Sequence, residues 1–353
     1  MGKTEGMNLG EISLDFTEKD AWDSYVSNSP SGSVFHLYNW KDIIRESYGH
    51  NSYYLSAKEN GHIAGIFPLY LMEIPFLGSS LISSPYLDYA GICAENAEIR
   101  NTLLEKAVNL AQAKKVNYLN LRELSQESWP GIVTHLDKVT MELELDTKAD
   151  DVWKKIPPER RNRIKKAEKA GLHAEAHGPE RLEDFYHIYS TNMRDLGSPA
   201  HSLLFFQKVF QYLPDNAQLF LVLQERNIIG AAVCLKFKKT LTIPWVSSLR
   251  DYFHLYPNNI LYWEAIKFGC LNSYQILDFG RSTMGSGTFE FKRRWGCQAK
   301  QIYWHYLMLN GCQAPQADLK KLWYAGLATN VWQHLPLSVT NILGPLLRRY
   351  ISN

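Results

Sequence analysis

At 353 residues the chain is long enough for two domains, each with its own core. Apolar residues make up 45% and charged residues 21%, the balance of a soluble globular protein, and aromatics at 13% are on the rich side. A formal net charge of +2 supplies no global field toward nucleic acid or membrane, which excludes DNA as a partner on charge grounds and makes any basic contact local.

The five cysteines (Cys93, Cys234, Cys270, Cys297, Cys312) are scattered, odd in number and form no C-x-x-C pair, so neither a disulfide framework nor a zinc site is expected. Histidine spacing gives no metal site. Residues 1–6 lead into polar sequence rather than an apolar signal core. The most apolar stretch, 65–81, is broken by Pro68, Glu73 and Pro75 and is too short to span a bilayer. A cytoplasmic location is the expectation.

In chain order, the first half predicts a strand at 53–57, a turn at Asn60-Gly61 and a strand at 63–69. A segment 83–89 follows, then a helix around 103–108 and a strand at 118–121. The second half repeats the plan: strand 219–223, turn Arg226-Asn227, strand 228–233, segment 246–252, helix 261–266 and strand 276–279. The offset drifts from 165 at Gly65/Gly230 to 158 at Ala107/Ala265, as differing loop lengths would produce. Four elements in one order predict two α/β (α+β) domains of the same topology, 1–148 and 149–312, followed by a helical tail at 313–353.

Between the copies, residues 154–169 hold eight Lys/Arg against two Glu. Pro157-Pro158 opens a helix there and Gly171 closes it. Its basic residues, Arg161 and Lys166 among them, read either as a solvated face or as a seat for a phosphate, a nucleotide sugar or a tRNA backbone. Arg194 precedes a Gly-Ser-Pro turn at 197–199, a setting for either a surface arginine or an anion clamp. Trp245 and Ser247 end a strand with an aromatic wall and a hydroxyl. Asn258 reads as the N-cap of the helix after it, or as a substrate-binding residue at a helix N-terminus that would attract an anionic group.

The densest mixture lies at 277–296. Glycines 280, 285 and 287 let the backbone come close to a ligand, while Asp278, Arg281, Ser282, Ser286 and Lys292 put a carboxylate, a guanidinium, hydroxyls and an amine on one turn. The first copy has Arg122-Glu123 at the matching strand end and no glycine-rich loop, so one active site is expected, in the second domain and completed by the first.

Taken together these motifs resemble the FemAB-type branch of the GNAT acyltransferase superfamily, in particular members associated with the PEP-CTERM/exosortase system. The ordered set is Arg161-x-x-Ile164-x-Lys166-Ala167, Met193-Arg194-x-Leu196-Gly197-Ser198-Pro199, Trp245-x-Ser247-Ser248, Pro257-Asn258, Asp278-Phe279-Gly280-Arg281-Ser282 and Gly287-Thr288-Phe289-x-Phe291-Lys292-x-x-Trp295-Gly296. Ser33-Val34-Phe35-His36 and Ser84-Pro85-Tyr86-x-Asp88-Tyr89 extend the likeness into the first half.

The resemblance implies two tandem GNAT-like domains and transfer of an acyl or aminoacyl group to an amine on a lipid-linked or small-molecule envelope precursor. It carries over Phe291 and Lys292 to the reaction centre and Arg194 to precursor binding. No tightly bound cofactor is implied; the donor is a co-substrate, namely aminoacyl-tRNA, acyl-CoA or acyl-carrier protein. The second domain lacks a long charged helical hairpin of the kind several tRNA users carry. Residues 255–259, Leu-Tyr-Pro-Asn-Asn, stand where ordinary GNAT enzymes place a glycine-rich pyrophosphate loop, which argues against a nest of backbone N–H groups there.

No Ser-His-Asp or Cys-His set is present in the pattern, so direct attack of the amine on the activated carbonyl is expected. Lys292 would face the oxyanion, Asp278 would orient or deprotonate the amine, and Arg281 and Arg194 would hold anionic groups. Ser282, Ser286, Ser247 and Trp245 would line the pocket. A non-catalytic precursor-binding module on the same fold is the alternative. The tail, apolar and ending in Arg348-Arg349, reads as a helix docked on the body or as a peripheral contact with the inner membrane.

Overall fold

The computed structural model describes residues 12–13, 16–127, 129–309 and 323–352. The first half contains β1 (Ile12–Ser13), α1 (Lys19–Asn28), α2 (Trp40–Tyr48), β2 (Asn51–Glu59), β3 (His62–Ile74), β4 (Gly78–Ile82), β5 (Cys93–Ala94), α3 (Ala97–Ala113), β6 (Tyr118–Glu123) and β7 (Ile132–Glu144). The second contains α4 (Ala149–Lys155), α5 (Pro158–Lys169), β8 (Leu172–His177), α6 (Leu182–Asp195), α7 (Leu203–Tyr212), β9 (Ala217–Gln224), β10 (Asn227–Phe237), β11 (Thr240–Ser248), α8 (Pro257–Leu271), β12 (Ile276–Thr283), α9 (Gly287–Arg293) and β13 (Gln298–Met308). Helices α10 (Trp323–His334) and α11 (Leu337–Arg348) follow; residues 313–322 of the expected tail lie outside the described residues.

Each half builds the same frame from local chemistry. Asn60 and Gly61 both take positive φ, 50° and 82°, the pair of left-handed residues a tight two-residue hairpin needs between β2 and β3. In the second half the reversal falls on Glu225 (φ 55°) and Arg226, so β10 starts at Asn227, which the sequence pattern had assigned to the turn. β4 then runs parallel to β6 for three residue pairs, Ser80–Tyr118 to Ile82–Asn120. Likewise β11 runs parallel to β12 for three, Thr240–Ile276 to Thr242–Asp278, after which the strands separate.

The halves are sewn together rather than set side by side. The sheet order is β1-β2-β3-β4-β6-β13-β7-β12-β11-β10-β9-β8, with β5 pairing β3 off this path. β13, from the end of the second half, lies between β6 and β7 of the first, and β7 in turn pairs with β12.

One face of this sheet carries a core drawn from both halves, in which Trp22, Trp40, Phe205, Phe206, Trp245 and Trp304 are buried. The opposite face is covered separately, by α3 (Leu103, Ala107, Ala111) in the first half and by α8 and α5 (Leu261, Ile266, Ile164, Ala167) in the second.

The helix of the basic run opens at Pro158, as its proline pair predicts, and Lys154 and Lys155 precede it at the end of α4. One local expectation is corrected. Asn258 is not a cap. Helix α8 begins at Pro257, its N-cap residue Tyr256 is left-handed (φ 62°), and no side chain caps its first turn.

A shared core and an interleaved sheet leave neither half able to unfold alone. Calorimetry is expected to show a single transition with equal calorimetric and van't Hoff enthalpies; two resolved transitions would show that the lobes are independent.

Candidate functional site

The site starts from a bulge in β12. Pairing with β7 runs Leu277–Leu143 and Asp278–Glu142, then slips to Arg281–Thr140. The slip is made by Gly280 at φ 76°, where an added Cβ would come 2.7 Å from the Ile243 carbonyl oxygen, so no other residue fits without moving β11. The bulge turns two carbonyls out of the ladder. Lys292 Nζ donates to both, to Gly280 O at 2.8 Å and to Arg281 O at 3.0 Å. Lys292 arrives on α9, whose first turn is capped by Ser286 Oγ accepting from the Phe289 N–H.

Asp278 is fully buried beside that bulge. Its Oδ1 accepts from Thr140 Oγ1 at 2.5 Å and from the Gly280 N–H at 2.8 Å, while Oδ2 has no partner. Burial pushes the carboxyl up to about 7; the neighbouring Asp88 and Glu142 add to the rise, and the two hydrogen bonds oppose it. Burial likewise brings the Lys292 ammonium down to about 8, against the pull of Asp88 and Asp278. Burial thus drives both groups toward their neutral forms, the kind of shift that clusters at functional sites.

The first half completes the site. Asp88 Oδ2 accepts from the Arg281 N–H at 3.1 Å, and Asp88 Oδ1 lies 3.7 Å from Arg281 Nε. The Arg281 guanidinium sits over Trp304, 5.3 Å from the ring centre, and its Nη1 is buried without a partner. Thr242 and Glu142, the residues paired with Asp278 on its two flanks, open on a cavity of about 460 Å³ at the junction of the halves. Tyr89, His36, Glu123, Lys238 and Lys300 also line it.

A second cluster lies on the α8 side of the sheet. Arg160 of α5 is 1% exposed; its guanidinium lies 5.2 Å from the Phe291 ring centre, and its Nε and Nη1 have no partner. Arg161 Nε and Asn259 Nδ2 are also buried donors without partners. Arg163 covers the Tyr256 ring at the uncapped start of α8. Unsatisfied buried donors at a helix N-terminus make a seat for an anion.

The structure brings Asp278, Arg281 and Lys292 together, and places Ser282 and Ser247 nearby on β12 and β11, both buried with unpartnered hydroxyls. Phe291 packs against Tyr262 and Trp295. Trp245 stands edge-on to Phe205 and Phe206 within the shared core. Arg194 lies apart, at the end of α6, with Nε and Nη2 on Asp195 Oδ1. Lys166 is exposed, and Asn258 Oδ1 accepts from Ser248 Oγ.

Sequence reasoning missed Asp88, Thr140, Arg160 and Asn259 as site residues. Arg160 was detectable, because it precedes Ile164 and Ala167 at helical spacing and so falls on the buried stripe of α5. Among the described residues no group of three or more His, Cys, Asp or Glu is placed to hold a metal.

Residues 158–293 match a family described as an acetyltransferase (GNAT) domain. No curated protein matches the chain by sequence. Among solved structures, FemX is similar with a TM-score of 0.70 at 15% identity, over 85% of this chain and 98% of that one. L-PGS from Bacillus licheniformis is similar at 0.57 and 11%, over 97% and 99%. A tandem GNAT protein from the clavulanic acid biosynthesis pathway is similar at 0.53 and 10%, over 84% and 98%. The chain has the tandem GNAT fold, and with an acetyltransferase domain around Asp278 and Lys292 it is an acyltransferase.

Proposed function

We propose that the chain moves an acyl or aminoacyl group from an activated ester or thioester to an amine on a cell-envelope or exopolysaccharide precursor, with the active site in 149–312 and Asp88 supplied by 1–148. The observation that carries this reading is Asp278: fully buried, pushed up to about 7, with Oδ2 unpartnered at the root of the split between β11 and β12. A base tuned to neutrality is what an amine acceptor requires.

The acceptor enters through the cavity beside Glu142 and Thr242. Its nitrogen attacks the donor carbonyl carbon, the N–C bond forms, and the amine proton passes to Asp278 Oδ2. The C–O or C–S bond to the carrier then breaks, and the carrier leaves with the electron pair and takes up a proton. Two of the three Lys292 N–H bonds hold the bulge; the third is offered to the developing oxyanion. Aminoacyl-tRNA, acyl-CoA and acyl-carrier protein all bear phosphate, and the cluster of Arg160, Arg161 and Asn259 supports seating it at the start of α8. Arg194 and Lys166 stay outside this core as contacts for distal parts of the substrates. The motif resemblance supports the subgroup linked to the PEP-CTERM/exosortase system.

Helix α11 leaves Ile342, Leu343, Leu346 and Leu347 exposed on one side, next to Arg348 and Arg349. Among the described residues no helix is long and apolar enough to cross a membrane. That apolar side with its basic end supports a peripheral contact with the inner membrane, where lipid-linked precursors lie. Full-length protein is expected to sediment with vesicles containing phosphatidylglycerol, and the pair I342D/L346D to remain in the supernatant; equal partitioning would discard this contact.

Labelled aminoacyl-tRNA, acyl-CoA and acyl-carrier protein, each offered with an amino-sugar or lysine-bearing acceptor, test the transfer itself. Transfer from one of them is expected, and binding without transfer from any would favour a precursor-binding module. Lys292→Met should retain the fold and lose on the order of a hundred- to a thousandfold in turnover; wild-type turnover would remove Lys292 from the mechanism.

Asp278 also makes a pH prediction. Its folded-state carboxyl, raised from 3.8 to about 7, holds a proton that the unfolded chain releases, so its presence costs stability progressively as pH climbs from about 4 to about 7. Asp278→Asn should therefore melt higher than wild type at pH 8, match it near pH 4, and lose roughly a hundredfold or more in transfer. A melting difference independent of pH would show that the carboxyl is not held neutral by burial.

A further inference from the structure

We infer that Glu142, Tyr89 and Asp278 form a seat for an ammonium group in the cavity between the halves, so that the acceptor binds as its alkylammonium cation rather than as a free amine. The identity of the occupant as the acceptor rests on the transfer reading above; the seat itself does not.

Strand alternation puts the two carboxyl groups on one face. Val139 and Met141 of β7, Leu241 and Ile243 of β11, and Leu277 and Phe279 of β12 bury in the core under α8. The residues between them, Thr140, Glu142, Thr242 and Asp278, therefore point to the other side of the sheet, toward the first half. Glu142 and Asp278 are directly paired across the antiparallel ladder. Two carboxyl groups set opposite each other in this way are unfavourable without a cation between them.

Tyr89 closes the seat from the first half. It lines the same cavity as Glu142 and Thr242, is 8% exposed, and stands edge-on to Phe35 with ring centres 5.3 Å apart. Burial holds its phenol well above the ordinary range, and the charges of Asp278, Glu142 and Asp88 add to the rise, so all three carboxyl groups lie near it. Among the described residues its hydroxyl has no hydrogen-bond partner. An ammonium carries three N–H donors and no acceptor. Asp278 Oδ2 is unpartnered, the Tyr89 hydroxyl likewise, and the Glu142 carboxylate meets only Lys300, 3.5 Å away and half exposed. Three acceptors short of a donor match one group that brings three.

The other charged groups facing this space are already matched. Glu123 takes Arg100 at 2.6 Å and has His305 at 3.6 Å, and Asp88 takes Arg281. Lys238 Nζ donates to the carbonyls of Ser29 and Gly32. Burial brings His36 down to about 4, so it carries no charge at neutral pH. Lys300 is thus the resting counter-ion of Glu142, and a long, half-exposed side chain is free to withdraw into solvent when another cation arrives. The seated nitrogen gives one proton to water before it attacks, and the second passes to Asp278 Oδ2 on attack. The seat adds binding and selectivity without a new chemical step.

Isothermal titration of the full chain at neutral pH with n-butylamine, a cation there, and n-butanol, its uncharged counterpart of similar length, tests the seat without any donor. Butylammonium is expected to bind about tenfold more tightly than the alcohol. Glu142→Gln should abolish that preference, and Lys300→Met should strengthen butylammonium binding by removing the resting counter-ion. Glu180→Gln, which deletes an exposed carboxylate elsewhere, should change neither affinity. If Glu142→Gln does not fold, Tyr89→Phe should weaken butylammonium and leave the alcohol unchanged. In the transfer assay at pH 8, where Asp278 is largely ionised, Glu142→Gln should raise KM for the amine roughly tenfold and leave kcat within about threefold. A merely structural role would lower kcat and weaken both probes alike. Equal affinity for the two probes, or a preference that survives Glu142→Gln, would overturn the seat. Cation preference with no transfer from any donor would sink the transfer reading and keep the seat, and transfer with no cation preference would do the reverse.

Discussion

The whole arrangement depends on a glycine. Gly280 at φ 76° breaks the register of β12 against β7, and each part of the site hangs on that break. Its N–H reaches Asp278 Oδ1, its carbonyl takes Lys292, and the next residue presents its N–H to Asp88 and its guanidinium to Trp304. A side chain at 280 would meet the Ile243 carbonyl and then Asp88 Oδ2, disturbing both walls of the split at once. The constraint is steric, and the electrostatics follow from it: the bulge buries a carboxyl and an amine with few compensating partners, and both are driven toward neutrality.

Such a site needs rigid support, and the interleaved sheet supplies it. Thr140, which donates to Asp278, lies on β7 from the first half of the chain, although the carboxyl lies on β12 from the second. Trp304, the platform for Arg281, lies on β13, which is inserted beside β6. Because the strands cross between halves, relative motion of the lobes would break ladder hydrogen bonds rather than slide a surface. The site can therefore be composite without being loose.

Much of this was legible in the sequence, and the failures have physical reasons. The hairpin at Asn60-Gly61, the paired helices α3 and α8 and the strands β6 and β12 follow from turn chemistry and from periodicity in one stretch of chain. The convergence of Asp278, Arg281 and Lys292 was legible because fifteen residues hold all three. Asp88 and Thr140 were not, since Asp88 comes from a loop 193 positions from Arg281 and Thr140 from strand register across 138 positions, which no local pattern encodes. Arg194 drew attention through the turn beside it, yet its guanidinium is committed to Asp195. Asn258 looked like a cap because polar residues before an apolar run usually are; Pro257 occupies the first helical position instead and moves the boundary back to Tyr256.

The two copies differ at the strand end that carries the candidate site. Asn120 stands in the first half where Asp278 stands in the second, each the last residue paired before its parallel strands separate. An amide cannot take up a proton from an amine, so Asn120 cannot act as Asp278 can. Two residues on, Arg122 stands where the second copy has Gly280. Asn120 Oδ1 accepts from Arg122 Nε at 2.8 Å, and Arg122 Nη1 donates to the Ser352 carbonyl at 2.7 Å. One topology therefore carries two different strand ends, and the one in the second half has the bulge that buries a carboxyl beside a lysine-bound turn.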